Sequence, residues 1–285
     1  MGLKSASIHI LFMHILLANS LKLVDTHTSG QTNKQTNILI ILIYKIIIII
    51  IIIIIIISIY LQTIPTLTFV NHRSGNINNS YNCRLCDGPS ESIKHLLSQC
   101  NKFLSTDFKR RHDRVLQYIL FKFMKKYKLI ESVPPWYTKV VIKPHYENEE
   151  VIVYWDIPEY SGREDEDENK ILRPDGKIIL KNERVIYVLE MSVPWVENRA
   201  VRTQNKIEKY KGIIQTLKVD NPQFAVQQLT FIVDCLGGYS NSFIEALSVL
   251  RFDRNEIDKM CLDIQKILIT EATSTINRFK VLTMS

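Results

Sequence analysis

Two acidic residues, Asp175 and Glu190, flank a pair of short apolar runs, 178–180 and 185–189. The polar residues between the runs suit the turn of a β-hairpin. If Asn182-Glu183 is a two-residue turn, the register carried along both strands places Asp175 opposite Glu190. Facing side chains have Cβ atoms about 4.5–5.5 Å apart. Two carboxylates that close repel each other unless a proton or a cation lies between them, and Mg²⁺ prefers carboxylate oxygens.

The register of this hairpin follows from the assumed turn. It pairs Leu180 with Val185 and Ile178 with Tyr187. Asn-Glu is a poorer turn sequence than Asn-Gly, so the register is an inference. A surface hairpin with two solvated acids fits the same residues, since Pro174-Asp175 is a common dipeptide at turns.

A second group of residues with metal-binding chemistry lies earlier in the chain. Cys83, Cys86, His95 and Cys100 have the spacing Cys-x2-Cys-x8-His-x4-Cys. Three thiolates and one imidazole form a tetrahedral Zn²⁺ site. Residues 92–97 have an apolar helical face, which would carry His95 towards Cys100. We predict a structural zinc knuckle whose metal supplies folding free energy; unconnected buried cysteines are the alternative.

Composition sets wide bounds on the chain. Its 285 residues suffice for one or two domains, and its formal net charge of +7 weakly favours an anionic partner. The five cysteines are an odd number, and three of them lie near a histidine. This pattern favours a metal site in a reducing compartment over a disulfide framework.

A strongly basic segment follows the cysteines. The spacing of Leu116, Ile119 and Phe123 predicts a long helix over residues 101–131. A solvated face and a phosphate-binding face are both compatible with its charges. The candidate nucleic-acid-binding residues are Lys109, Arg110, Arg111 and Arg114. We interpret His112 as a surface histidine rather than a phosphate contact.

The N-terminal region differs from the rest. An unbroken isoleucine run, Ile46–Ile57, lies within the apolar segment 38–61. That segment is long enough to span a membrane, because about 20 apolar residues suffice. A single repeated residue type is also typical of a translated simple repeat. We therefore predict a low-complexity leader over residues 1–80, with a transmembrane helix at 38–61 as the alternative.

Further elements can be assigned along the chain. Pro134-Pro135 is expected to end the basic helix, because proline cannot continue it. The acidic stretch 164–168 is predicted to be a solvated loop. Lys206 and Tyr210 are four residues apart and share a helix face, with Lys209 on the adjoining side. The remaining predicted elements are a strand at 151–156, a helix at 199–217, a strand at 229–233 and helices at 241–250 and 253–278. This order predicts an α/β sandwich around a small mixed sheet.

The motifs resemble, in their order, the C-terminal region of site-specific non-LTR (LINE-type) retrotransposon polyproteins. The resemblance covers residues from about 82 to 280. The motifs are Cys-x2-Cys, His-Leu-Leu-Ser-x-Cys, Lys-Arg-Arg-His-Asp-Arg-Val, Trp-Tyr, Arg-Pro-Asp, a strand ending in an acid, and Lys-Ile-Glu-Lys-Tyr. The resemblance implies a zinc knuckle with a basic helix (81–131) before a PD-(D/E)xK restriction-endonuclease-like domain (132–285).

The resemblance also implies roles for individual residues. Asp175 and Glu190 would hold catalytic Mg²⁺ and cut a DNA phosphodiester. Simple PD-(D/E)xK enzymes have a lysine two residues after the second acid, where this chain has Ser192. The family places the lysine on the following helix, so Lys206 or Lys209 would stabilise the transition-state charge, with Tyr210 nearby. Cys83, Cys86, His95 and Cys100 would bind Zn²⁺.

The chain also departs from the family pattern. It contains no Asp-Asp pair, so the polymerase motif that binds the incoming nucleotide is missing. We expect a truncated, retrotransposon-derived DNA endonuclease without its reverse transcriptase. The expected partners are DNA and element RNA, in the nucleus. The alternatives are a catalytically inactive zinc-dependent nucleic-acid-binding remnant and a protein anchored in a membrane by the isoleucine-rich segment.

Overall fold

The computed structural model describes residues 54, 57–59, 63–75, 81–88, 90–161 and 170–284. The predicted acidic loop at 164–168 and most of the segment 38–61 lie outside these residues. Among the residues described, no helix combines the length and the apolar character needed to cross a membrane. Ile64–Ser285 forms one compact unit, separate from Met1–Thr63. All helices and strands described below belong to the unit Ile64–Ser285.

A five-stranded mixed sheet is the centre of this unit. Its strands are adjacent in chain order, and only the last pair is parallel. The strands are β1 (His145–Glu147), β2 (Val151–Trp155), β5 (Gly176–Leu180), β6 (Val185–Ser192) and β7 (Ala225–Ile232). Two short strands, β3 (Glu159–Ser161) and β4 (Lys170–Leu172), form a separate antiparallel pair. The predicted α/β class is confirmed.

The β5–β6 hairpin has the predicted register. Leu180 pairs with Val185 and Ile178 with Tyr187. The ladder ends at Gly176 opposite Leu189, one pair before Asp175 and Glu190. Strand β6 continues beyond Glu190 to Ser192, because β7 pairs with it along its whole length.

Helices cover both faces of the sheet. The described helices are α1 (Leu67–Ser74), α2 (Ile93–Ser98), α3 (Asn101–Phe103), α4 (Lys109–Lys126), α5 (Arg199–Asp220), α6 (Asn241–Val249) and α7 (Arg254–Met284), of which the last four pack on the sheet. On β6, Ile186 and Val188 pack against Tyr210 and Ile213 of α5. The alternate residues Tyr187, Leu189 and Met191 join a larger core with α4, α6 and α7. The period of two along a strand thus sends side chains of β6 to two different helix layers.

The basic helix differs from its predicted form. Its first turn, α3, passes into a π-helical turn, Leu104–Phe108, and α4 then ends at Lys126. Lys128 has a positive φ of 55°, and Leu129 N–H donates to Met124 O. These features form a Schellman-type end, which satisfies the last carbonyls of the helix. The predictions of a helix to Glu131 and of termination by Pro134-Pro135 are therefore wrong.

Candidate metal centres

The four predicted zinc ligands converge. The ligand atoms of Cys83, Cys86, His95 and Cys100 all lie within 4.8 Å of one another. Cys83 Sγ and Cys100 Sγ are 3.9 Å apart. Two sulfurs on a tetrahedral Zn²⁺ with bonds of about 2.3 Å would be ~3.8 Å apart. The cluster could therefore bind a metal such as zinc.

Short backbone elements place these ligands. Asp87 N–H donates to Cys83 O, and Asp87 has a positive φ of 55°, so a tight turn follows the two cysteines. Ser92 caps α2 by accepting from His95 N–H, which fixes the first turn that carries the imidazole. Cys100 N–H donates to His95 O just beyond the helix. The whole cluster is thus set by residues 83–100.

Burial changes the pKa values of several ligands in this cluster. Burial raises the pKa of the Cys83 thiol, and it raises the pKa of the Cys100 thiol to about 12. Burial also lowers the pKa of His95, which keeps the imidazole neutral, as a metal ligand must be. A bound divalent cation would deprotonate the thiols, because a coordinated thiol loses its proton.

A buried carboxylate, Glu91, supports the knuckle. It accepts hydrogen bonds from Leu67 N–H at 2.9 Å and Arg84 N–H at 3.0 Å, and it pairs with the Arg84 guanidinium at 2.8 Å. Burial opposes the charge on Glu91, but these donors lower its pKa below the ordinary value. Helix α1 is thereby tied to the knuckle, although residues up to 80 were predicted to be a low-complexity leader.

The second candidate centre lies where β5 begins. Asp175 Oδ2 accepts from Met191 N–H at 2.7 Å. His112 Nε2 is 3.1 Å and Lys206 Nζ 3.8 Å from the same oxygen. Burial would raise the pKa of Asp175, but His112 and Lys206 outweigh it, so the pKa lies below the ordinary value. Asp175 is therefore ionised at neutral pH.

Glu190 is the more buried of the two carboxylates, with a side chain 0% exposed. Its Oε2 accepts from Lys206 Nζ at 2.5 Å. Its Oε1 is buried and makes no hydrogen bond of ordinary geometry with the described residues. Burial, followed by the charge of Asp175, raises the pKa of Glu190 to about 7 despite Lys206. An oxygen in this state is a ready ligand for a cation.

Helix α5 supplies Lys206, Lys209 and Tyr210, but they have different surroundings. Lys206 contacts both carboxylates. Lys209 is exposed, and its Nζ donates to Tyr210 Oη at 2.9 Å. Tyr210 is buried and donates to Arg173 O at 2.9 Å, which anchors the segment leading to Asp175. Of the two candidate lysines, only Lys206 lies against the acidic pair.

His112 belongs to this centre, and the interpretation of it as a surface histidine is wrong. Its Nε2 contacts Asp175, and its Nδ1 lies 3.0 Å from Asp113 Oδ1. Burial would lower the pKa of His112, but the two carboxylates raise it to about 9. The sequence contained one signal of an interacting histidine, since His112 directly precedes Asp113 in a basic helix. Nothing in the sequence revealed the contact with Asp175.

A cavity of about 300 Å³ opens beside Asp175. Leu104 and Phe108 of the π-helical turn and Trp155 of β2 form the apolar part of its wall. The polar part includes Lys109 and His112 of α4 and Asp156 after β2. One carboxylate of the pair is thus reachable from solvent, while Glu190 lies behind it.

The four predicted nucleic-acid-binding residues have unlike environments. Arg111 is only 2% exposed and donates to Leu97 O at 2.8 Å, so it cannot reach a phosphate in this structure, and the prediction for it is wrong. Arg110 and Arg114 both pair with the buried Glu271. Lys109 is exposed, with Asp113 3.7 Å away. The helix is basic partly because it neutralises acids of the neighbouring α7.

Comparison with known proteins adds no family to this description. The chain matches no protein-family model and no curated protein.

Proposed function

We propose that the chain is a retrotransposon-derived, metal-dependent DNA endonuclease that nicks target DNA. One observation carries the proposal. At the open end of the hairpin the buried carboxylate of Glu190, whose Oε1 makes no hydrogen bond of ordinary geometry with the described residues, neighbours the ionised carboxylate of Asp175, which lines the cavity. Such a pair favours a hard divalent cation.

The order of elements supports a PD-(D/E)xK restriction-like core. Helix α4 precedes the four antiparallel strands of the sheet, and α5 then leads to β7, which is parallel to the fourth of them, β6. Asp175 lies just before the third of these strands, β5, and Glu190 lies near the end of β6. Their lysine partner comes from the helix that follows, as the motif resemblance implies.

Asp175 and Glu190 would hold Mg²⁺, which when bound supplies activation of water and stabilisation of the leaving oxygen. Before the cation enters, Lys206 forms ion pairs with both acids. With Mg²⁺ bound, the Lys206 ammonium would be free to neutralise charge on the scissile phosphate. The Cys3His cluster would hold structural Zn²⁺, and Lys109 would contact DNA. The expected location is the nucleus, with element RNA as a further partner.

A nicking assay tests the proposal. The full chain, loaded with Zn²⁺ and kept in mild detergent because of its isoleucine run, is incubated with supercoiled plasmid with or without Mg²⁺. We expect Mg²⁺-dependent open circles from the wild type and a loss of at least ~10³-fold in Asp175→Ala and Glu190→Ala. Equal nicking by the wild type and Asp175→Ala would contradict the nuclease proposal.

A catalytically silent nucleic-acid-binding module is the second candidate. The observation that favours it is that each acid has a cationic partner without a metal, since Lys206 pairs with Glu190 and His112 with Asp175. In that case the chain would bind DNA or RNA without nicking it, and Asp175→Ala would bind equally well. Nucleic-acid binding would be weaker in Cys83→Ser, because it would depend on the zinc cluster.

A further inference from the structure

We propose that His112 is a positioning residue that orients Asp175 for cation binding. The inference rests on the proposed function, since it assigns the metal ligand to Asp175. It adds a residue from α4 to a centre otherwise formed by the hairpin and α5.

The contacts of the imidazole define its hydrogen-bonding state. Nε2 lies 3.1 Å from Asp175 Oδ2 and 3.2 Å from Met191 O. A backbone carbonyl can only accept, so Nε2 carries a hydrogen and donates it between these two oxygens. On the other side of the ring, Nδ1 faces Asp113 Oδ1. The ring is therefore held from both ends.

This donation restricts one oxygen of Asp175. Asp175 lies just before β5, where the ladder has ended, so the strand pairing does not fix its side chain. Both of its close hydrogen bonds, from Met191 N–H and from His112, go to Oδ2. No described residue donates to Oδ1. The pair of donors thus sets the carboxylate plane and leaves Oδ1 for a cation.

The residue before His112 is held by contacts with two other segments. The preceding residue, Arg111, is buried and donates to Leu97 O of α2 and, at 3.4 Å, to Val193 O just after β6. Its guanidinium also lies over the Phe108 ring, 5.1 Å from the centroid. The turn of α4 that carries His112 is therefore fastened to the strand that carries Glu190. Groups that hydrogen-bond a metal ligand typically change metal affinity 10–100-fold when removed.

The test measures metal binding apart from catalysis. The full chain is titrated with Mn²⁺, followed by electron paramagnetic resonance, with Asp175→Asn defining binding elsewhere. His112→Leu removes the donor, His112→Gln keeps an amide N–H near the Nε2 position, and His145→Gln is the control at an exposed histidine. We expect Mn²⁺ affinity to fall about 10–100-fold in His112→Leu and to stay within about threefold in the other two. The Mg²⁺ concentration for half-maximal nicking should shift in parallel.

The outcomes separate this proposal from the nuclease proposal. Zinc content and thermal unfolding serve as checks on folding; if His112→Leu does not fold, the polar but shorter His112→Asn takes its place. Equal Mn²⁺ affinity in folded His112→Leu and wild type would overturn the positioning role, as would a wild type that binds no more Mn²⁺ than Asp175→Asn. Histidine-dependent Mn²⁺ binding without nicking would support the role of His112 and reject only the nuclease.

Discussion

The two candidate metal centres are built in opposite ways. The Cys3His cluster takes all its ligands from residues 83–100, and local turns bring them together. The carboxylate centre joins His112, Asp175, Glu190 and Lys206, which come from four different elements. A local site can be recognised from spacing, whereas an assembled site becomes visible only when the sheet and its helices are in place.

The centres also differ in how they balance charge. Burial raises the pKa of the Cys83 and Cys100 thiols in the first cluster, which favours their protonated forms when no cation is bound. In the second centre two cationic side chains, Lys206 and His112, already lie against the two acids. We therefore expect metal to be a structural requirement of the first centre and a functional requirement of the second.

The largest expected effect is the loss of zinc from the local cluster. Cys100→Ser removes one of four ligands and should abolish stoichiometric zinc binding, which in zinc-finger peptides contributes about 10–16 kcal/mol. Metal analysis and thermal unfolding measure the result. Cys261→Ser, a change at a buried cysteine outside the cluster, is the matched control, and Asp175→Asn should also keep its zinc. Full zinc occupancy in Cys100→Ser would contradict the assignment.

A smaller effect is expected from the lysines of the assembled centre. Lys206→Ala should lower the nicking rate by about 10²–10³-fold, because it removes the cation beside both acids. Lys209→Ala should change the rate by less than ~10-fold, since Lys209 contacts Tyr210 instead. The two variants are compared in single-turnover nicking at saturating Mg²⁺. The reverse order of effects would mean that Lys209 is the residue that meets the phosphate.

The smallest expected effect is a pH dependence of stability. The pKa of Glu190 is about 7 in the folded chain, against an ordinary value of 4.5. Its stabilising contribution is therefore present below pH 4.5 and lost as the pH rises through 7, with a size on the order of 3 kcal/mol. Glu190→Gln stays neutral, so its stability relative to the wild type should increase across this window.

Urea unfolding of both proteins at pH 5 and pH 8, without Mg²⁺, measures this difference. Titrations common to both proteins cancel in the comparison. A stability difference that does not change with pH would show that Glu190 ionises normally.

Sequence patterns predicted the local features well. The hairpin register followed from two apolar runs and their turn, and the helix that carries His95 followed from its apolar face. The prediction for Arg111 failed for a physical reason, because its acceptors, Leu97 O and Val193 O, belong to other segments that charge patterning along one helix does not reveal. The same patterning does not reveal that Arg110 and Arg114 pair with Glu271 of α7, more than a hundred residues away.

Spacing over a few residues was enough to predict the four candidate metal ligands and the hairpin register, and the alternation that separates the faces of β6 is equally local. Only the tertiary structure decided that Arg111 is buried, that Lys206 rather than Lys209 lies against the acids, and that His112 reaches Asp175. Those contacts depend on how helices pack on the two faces of the sheet, and no local spacing encodes the resulting distances.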